Sequence, residues 1–236
     1  MKKKAVAALL LVASVGTLSL LPACTNTDDV YKPPPAYSGP KATLPAVPSL
    51  PSMPIKVGDA FSVYGAIHHL NSSVHGPEVN DKELTLVGYI VQCNMETVDV
   101  CAVHKKGKAD PEGCKTEIPT FWLSDVKGDK KQTIRVMGWA SNFANVFDAL
   151  EEYKNLKAPP KEPYKDGLWA VDVPFPLPAK DAKIKVTGKY GVNFGRSSTG
   201  VASDPANGIM DVKKIEYLEP SPEPASFPQL KDAKKK

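Results

Sequence analysis

The stretch Thr133–Tyr153 reads TIRVMGWASNFANVFDALEEY, and its hydrophobic period changes in the middle. Apolar and polar residues alternate from Thr133 to Trp139, which is typical of a strand with one buried face. After Ser141, which can cap a helix, apolar side chains recur along one helical face as far as Tyr153. The segment therefore predicts a strand that leads directly into a helix.

Strand-like segments lie on both sides of this helix. They are 61–67, 84–91 and 120–124 before it, and 184–190 and 209–217 after it. Three strands carry a glycine, at Gly88, Gly138 and Gly188. Glycine inside a strand marks a sharp bend or a close approach of another backbone. A small, strongly coiled sheet is therefore expected, with the helix between the third and fourth of its five main strands.

This order resembles the oligonucleotide/oligosaccharide-binding (OB) fold, a small five-stranded barrel. The resemblance covers about 84–218 and depends on the motifs FWLSD, VMGW, IKVTG and GIMDVKKIEYLE. It implies a mainly β, OB-like barrel with one helix between strands three and four, similar to OB-fold lipoproteins of bacteria. Segment 61–67 would add an N-terminal strand, and segment 168–173 an edge strand. A β-sandwich built from the same strands is the alternative.

The first 24 residues, MKKKAVAALLLVASVGTLSLLPAC, have the layout of an export signal. Three lysines precede the apolar stretch Ala5–Leu21, which is short for a membrane-spanning helix. The sequence Leu21-Pro22-Ala23-Cys24 resembles the lipobox of bacterial lipoproteins. That resemblance implies cleavage before Cys24 and attachment of a diacylglycerol to its sulfur through a thioether, with fatty-acyl chains such as palmitate. A plain secretory signal and an uncleaved anchor are the alternatives.

The lipobox implies a location in the cell envelope, with the membrane as a partner through the lipid anchor. Two or more acyl chains hold a protein on a membrane essentially permanently. The residue after the cysteine is Thr25, whereas an aspartate there would resemble an inner-membrane retention signal. In a Gram-negative host the outer membrane is therefore expected, with the domain facing the periplasm or the exterior.

Proline-rich segments flank the predicted domain. Of the 23 prolines, eight lie within 33–54, a density at which neither helical nor strand patterns persist. After a signal peptide of residues 1–23, residues 24–56 are expected to be an extended tether and 57–218 the folded domain. Residues 219–236, which are rich in proline and lysine, are expected to be a disordered tail.

The net charge of +4 arises at the two ends of the chain. Without residues 1–23 and 231–236, the chain keeps 23 basic and 25 acidic side chains. Arg135 and Arg196 are its only arginines, whereas bidentate recognition of phosphate or guanine uses the arginine fork. The composition therefore argues against nucleic acid as a partner.

Three cysteines, Cys93, Cys101 and Cys114, lie between the first two predicted barrel strands. In an oxidising envelope they predict one disulfide and a spare thiol, with Cys101–Cys114 and Cys93–Cys114 both open. A bridge across a loop of this size contributes about 3 kcal/mol. The alternative is a zinc site formed by the three cysteines with His104, although their spacing matches no common zinc finger.

The remaining histidines, His68, His69 and His75, predict no ligand site. Adjacent residues of a regular strand point to opposite faces, so His68 and His69 could not both bind one ion from a strand. A partly exposed role without a ligand is the expectation for all three.

Aromatic residues of the predicted strands are candidates for a ligand face. Exposed aromatic rings in an OB fold stack on sugars or bases. The alternative is that the rings fill the core. The candidate face comprises Trp122, Trp139, Tyr190, Phe194 and Arg196.

The sequence contains no recognisable catalytic motif. Ser124–Lys127 matches S-x-x-K, but it lies at a strand end and the companion motifs S-D-N and K-T-G are missing. Serine-hydrolase, zincin and phosphate-loop motifs are missing as well. We therefore expect a non-enzymatic lipoprotein without a cofactor, which binds a protein or a glycan. A metal-binding or redox module built on Cys93, Cys101, His104 and Cys114 is the alternative.

Overall fold

The computed structural model describes residues 33–36, 38–40, 53–114, 116–196 and 202–233. The chain divides into two compact units, Met1–Pro48 and Ser49–Lys236. The described residues of the first unit are exposed and irregular. The predicted signal peptide, Cys24 and most of the predicted tether lie outside the described residues. In the described part of the chain, no helix is long and apolar enough to cross a membrane.

The second unit contains the regular structure, together with 3₁₀ turns at Asn94–Glu96 and Val100–Ala102. Its elements in chain order are β1 (Lys56–Val57), β2 (Ala60–Ser62), α1 (Val63–Leu70), α2 (Gly76–Val79), β3 (Lys82–Cys93), β4 (Phe121–Ser124), β5 (Ile134–Met137), α3 (Phe143–Tyr153), β6 (Lys183–Gly191), β7 (Asn193–Phe194), β8 (Ala202–Ser203), β9 (Ile209–Glu219) and α4 (Pro228–Ala233).

Five of these strands pair in a closed cycle. β3 pairs with β4, β4 with β5, β5 with β9, β9 with β6, and β6 again with β3. The β5–β9 pair is parallel and the other four are antiparallel. β2 adds to β3 in parallel, and β1 adds to β2. The chain is therefore mainly β, with a mixed seven-stranded sheet and few helices. The alternative β-sandwich is wrong, because it requires two separate facing sheets.

Alternate positions of the cycle strands supply the main core. Leu86 and Ile90 of β3 and Ile184 and Val186 of β6 are fully buried in one apolar cluster. Phe143 adds the start of α3 to the same cluster. The predicted alternation is therefore confirmed along β6, whereas Val87 and Val91 of β3 are buried as well, so β3 is covered on both faces.

Two of the strand glycines lie where another backbone comes too close for a side chain. A Cβ at Gly88 would be 2.9 Å from the carbonyl oxygen of Ser124, and a Cβ at Gly188 would be 2.2 Å from that of Asp211. The β6–β9 register also shifts between Thr187 and Gly188, which is a local irregularity of the ladder. The interpretation of these glycines as points of close backbone approach is confirmed.

The predicted strand over 61–67 is wrong beyond Ser62, because α1 begins at the next residue. The Ser62 hydroxyl accepts a hydrogen bond from Gly65 N at 2.8 Å. The Asp125 carboxylate accepts from Val63 N at 2.8 Å, and its other oxygen caps the following N–H. These groups satisfy N–H donors that the first helical turn leaves free. The apolar residues of this segment also recur at helical spacing, and that face is buried.

The helix predicted after the third main strand is confirmed as α3, with its cap shifted by one residue. The cap is Asn142, whose side chain accepts from Asn145 N. The Ser141 hydroxyl instead donates to the buried carboxylate of Asp166 at 2.7 Å. Asp166 also accepts the amides of Leu168 and Trp169, which lie in a turn, and in place of the expected edge strand over 168–173 there is an isolated antiparallel bridge between Lys165 and Asp172.

Part of the predicted disordered tail, 219–236, packs on the domain instead. Phe227 is 3% exposed, and its ring centroid lies 6.2 Å from that of Phe143 in an edge-to-face contact. Gln229 Nε2 donates to the carbonyl of Met95 at 3.0 Å. One aromatic ring and one amide therefore hold a segment whose composition alone predicts no structure.

We expect the two hydrogen bonds that the Asp125 carboxylate accepts to be the main stabilisation of the start of α1. Replacement Asp125→Ala removes two charge-assisted hydrogen bonds from a half-buried helix start, and should lower the free energy of unfolding by about 2 kcal/mol in urea denaturation. The control is Asp129→Ala, whose carboxylate accepts only an exposed turn amide, that of Lys131. It should change stability by less than about 0.5 kcal/mol. Equal effects of the two substitutions would contradict this role of Asp125.

Candidate functional site

The loop between β3 and β4, residues 94–120, contains the predicted disulfide. Cys101 and Cys114 are bonded, with their Cα atoms 6.0 Å apart. Cys93, at the end of β3, is 2% exposed and is the free cysteine among the described residues. This is one of the two pairings that the sequence left open, and it leaves the expected spare thiol.

The predicted zinc site of Cys93, Cys101, His104 and Cys114 is wrong. The disulfide uses two of the sulfurs. Burial raises the pKa of Cys93 to about 12, so its thiol stays protonated. His104 Nε2 pairs with the Asp110 carboxylate, and that hydrogen bond raises the pKa of His104. The four side chains therefore do not form a ligand set.

The candidate aromatic face is mostly buried. Trp139, Tyr190 and Phe194 are each at most 1% exposed, because their rings fill the interior. Trp122 is half-buried, and Arg196 is exposed. The alternative that the rings fill the core is therefore confirmed for three of the four aromatic residues.

A small second core covers the outer face of β5 and β9. It is built from Ile118, Met137, Phe194 and Ile209. Arg135 donates to the carbonyl of Ser203 in β8 at 2.8 Å, and Arg196 pairs with Asp211 at 3.0 Å. Burial raises the pKa of Asp211, although Arg196 acts in the opposite direction. The paired strands β7 and β8 therefore cover this part of the outer face of β5 and β9.

A different set of side chains meets beside α1 and α2. His69 lies in the last turn of α1, His75 directly precedes α2, and Glu78 lies within α2. One potential ligand atom of each lies within 4.8 Å of the other two. The two imidazole rings stack with their centroids 4.7 Å apart and 24° between their planes. We call this group the histidine cluster.

The turn between the two helices holds the cluster. The Ser72 hydroxyl accepts a hydrogen bond from His75 N at 3.2 Å, and the backbone carbonyl of Ser72 accepts one from Gly76 N at 2.7 Å. Asn71 Nδ2 donates to the carbonyl of Ala206 at 2.8 Å, which ties the turn to the loop before β9. The backbone between the two histidines is therefore fixed at both ends.

The cluster is electrostatically unusual at His69. Burial lowers the pKa of His69, the neighbouring His75 acts in the same direction, and Glu78 opposes both. The Nδ1 atom of His69 is buried and has no hydrogen-bond partner among the described residues. His75 Nδ1 lies 3.2 Å from Glu78 Oε1, and His69 Nδ1 lies 3.9 Å from Glu78 Oε2. An imidazole nitrogen of His69 thus faces a carboxylate and a second imidazole.

The sequence prediction missed this cluster because it placed His68 and His69 on a strand. On the helix that actually forms, His69 points to the α1–α2 junction while His68 is exposed and lies outside the cluster. The available signal was the turn-forming Asn71-Ser72-Ser73 followed by Gly76-Pro77. That pattern predicts two short helical pieces and brings histidines six residues apart onto one side.

A depression of 340 Å³ lies beside the disulfide-closed loop. The disulfide-closed loop contributes Lys106, Lys108 and Asp110 to its wall, and α3 contributes Asn145. Leu168, at its rim, is 65% exposed. The depression can receive a polar group with an apolar neighbour, and the paired side chains of His104 and Asp110 also line it.

No family model matches the chain, and no curated protein matches it. Similar solved structures include asparaginyl-tRNA synthetase from Pyrococcus horikoshii, at 14% identity over 61% of this chain and 21% of that chain, with a TM-score of 0.26. Another is OBody AM1L10 bound to hen egg-white lysozyme, at 12% identity over 61% of this chain and 86% of that chain, with a TM-score of 0.26. The chain thus spans about a fifth of the synthetase, 21% of its length. Likeness at these TM-scores says nothing about function.

The disulfide assignment predicts a stepwise thiol count in a Cys24→Ala chain treated with a maleimide and weighed by mass spectrometry. The native protein should react at none of its described cysteines, because Cys93 is buried with a pKa of about 12. Unfolding in urea should expose one thiol, and unfolding with reductant should expose three. Peptide mapping should place the single label on Cys93. A label on Cys101 or Cys114 without reductant would refute the pairing.

Proposed function

We propose that this chain is a lipid-anchored lipoprotein of the bacterial cell envelope, whose OB-fold domain is a non-catalytic binding module for a protein partner. The closed cycle of strand pairings is the observation that carries the proposal. Along the chain, the cycle strands β3, β4, β5, β6 and β9 are first to fifth, and they pair in the order first, second, third, fifth, fourth. Helix α3 lies between the third and fourth, as in an OB fold.

The disulfide-closed loop is the proposed contact surface. In OB folds, the loop between strands one and two and the loop between strands four and five border the ligand. Here the second of these folds back as the β7–β8 hairpin over the small second core. The loop at 94–120 therefore remains, and its disulfide limits the conformational freedom that binding would otherwise remove.

A protein partner is favoured over a glycan by the burial of the aromatic rings. Sugar recognition in such a fold depends on exposed rings, and Trp139, Tyr190 and Phe194 are buried. What the loop surface offers instead is two lysines, the Asp110 carboxylate and the exposed Leu168 around the depression. Polar and charged groups of this kind are found in the rim of protein interfaces, and Leu168 supplies an exposed apolar contact.

The lipid anchor at Cys24 is the proposal for location, in the outer membrane where the host has two membranes. Growth with labelled palmitate should label the wild-type chain, and Cys24→Ala should remove the label, because the thioether needs that sulfur. The matched control is Thr25→Ala, which changes the next residue and should keep the label. Equal labelling of the wild-type chain and Cys24→Ala, or no labelling of either, would refute the anchor.

Site-specific photo-crosslinking in living cells tests the contact surface on the full, lipidated chain. A photoreactive residue at Lys108 or Leu168 should give one adduct of the same mass, because both positions flank the depression. The matched controls are Lys127 and Val126, which are also exposed and lie in the turn at the opposite end of β4. They should give no such adduct.

Two outcomes of the crosslinking would overturn the proposal. Equal adducts at test and control positions would show unspecific contact. An adduct that is removed by a muramidase and survives protease treatment would identify a glycan rather than a protein.

A further inference from the structure

The histidine cluster brings together donors that suit one kind of ligand. His69 and His75 supply imidazole nitrogens, and Glu78 supplies a carboxylate. Two imidazoles and one carboxylate are a common ligand set for zinc with an open fourth position. Hard ions such as magnesium and calcium prefer oxygen donors throughout, so this set disfavours them.

The distances fit a small tetrahedral ion. Bond lengths of about 2.0–2.1 Å to zinc place tetrahedral ligand atoms about 3.3 Å apart. His75 Nδ1 lies 3.2 Å from Glu78 Oε1, and His69 Nδ1 lies 3.9 Å from the other oxygen, Oε2, so the carboxylate lies near this spacing from both imidazoles. With one ligand atom from each residue, the three atoms lie within 4.8 Å of one another, so the widest pair has to close by about 1.5 Å at most to reach that spacing.

The unpartnered nitrogen of His69 is an independent indication of a ligand. Buried polar atoms of proteins are almost always hydrogen-bonded. His69 Nδ1 is buried without a hydrogen-bond partner among the described residues, and it faces the other two donors. The neighbouring Phe61 ring makes an edge-to-face contact with the His69 ring, with their centroids 5.4 Å apart. This contact limits rotation of the His69 side chain.

We infer that His69, His75 and Glu78 bind one divalent transition-metal ion, with zinc as the best fit and the fourth coordination position open to water. The turn hydrogen bonds of Ser72 and Asn71 hold the two histidines in place before an ion arrives. Lys56 lies over the Phe61 ring, with its Nζ 4.6 Å from the ring centroid. The site is separate from the disulfide-closed loop and does not depend on the partner proposed above.

The test uses the full-length lipidated chain in detergent, purified without a polyhistidine tag and without reductant, so that the Cys101–Cys114 disulfide stays intact. Calorimetric titration with zinc chloride should show one ion per chain. Removal of an outer-shell partner alone costs about 10- to 100-fold in metal affinity. His75→Ala and Glu78→Gln, which remove direct ligands, should therefore weaken zinc binding by at least about 100-fold.

The matched control is His68→Ala, which removes an exposed neighbouring imidazole that lies outside the cluster. It should bind zinc like the wild-type chain. Cobalt chloride should give intense visible absorption bands with the wild-type chain and with His68→Ala, and weak bands with the other two variants. Unfolding temperatures without metal verify that each variant is folded, and zinc should raise them only in the wild-type chain and His68→Ala.

Three outcomes would overturn the inference. They are the absence of zinc binding by the wild-type chain, wild-type affinity in both ligand variants, and a loss of affinity in His68→Ala as large as theirs. The last outcome would assign zinc to exposed histidines rather than to this cluster.

Discussion

The backbone hydrogen bonds along both edges of β3 are the constraint on which the rest of the structure depends. One edge pairs with β6 over Lys82–Tyr89, and the other pairs with β2 and then with β4. A strand that satisfies three partners must coil, and Gly88 permits this because Ser124 O would otherwise touch its side chain. The cycle closes because β3, its first strand, pairs both with the second strand, β4, and with the fourth strand, β6.

The closed cycle of strands also separates the disulfide-closed loop from the histidine cluster. The disulfide-closed loop leaves β3 at its carboxyl end, whereas α2 and the histidine cluster precede its amino end. The start of α3 and the turn held by Asp166 lie beside the first region. The Asp125 cap belongs to the second, because it fixes α1, which carries His69. The two regions therefore lie at opposite ends of β3.

The sequence predicted the parts of the fold that depend on local periodicity. The strands at 84–91 and 184–190 and helix α3 were predicted because one period dominates each segment. The strand prediction failed at 61–67, where an alternating pattern and a helical pattern of apolar residues coexist. There, distant Asp125 decides the outcome, and local propensity cannot reveal it. The sequence analysis did not predict the second core for a related reason. Alternation predicts one buried face for β5 and β9, but the paired strands β7 and β8 bury the other face as well.

The histidine cluster is a set of potential metal ligands in the folded chain that no sequence motif predicts. An unsatisfied buried polar atom costs about 1–3 kcal/mol, so His69 is a poor choice if helix packing alone is considered. A ligand that binds only the folded chain offsets such a cost, and stabilises it by about 2.7 kcal/mol at 100 times its dissociation constant. His75 and Glu78 lie where they can supply that ligand's other contacts, whereas exposed His68 cannot. The cost at one nitrogen is therefore best explained by an ion that the three side chains share.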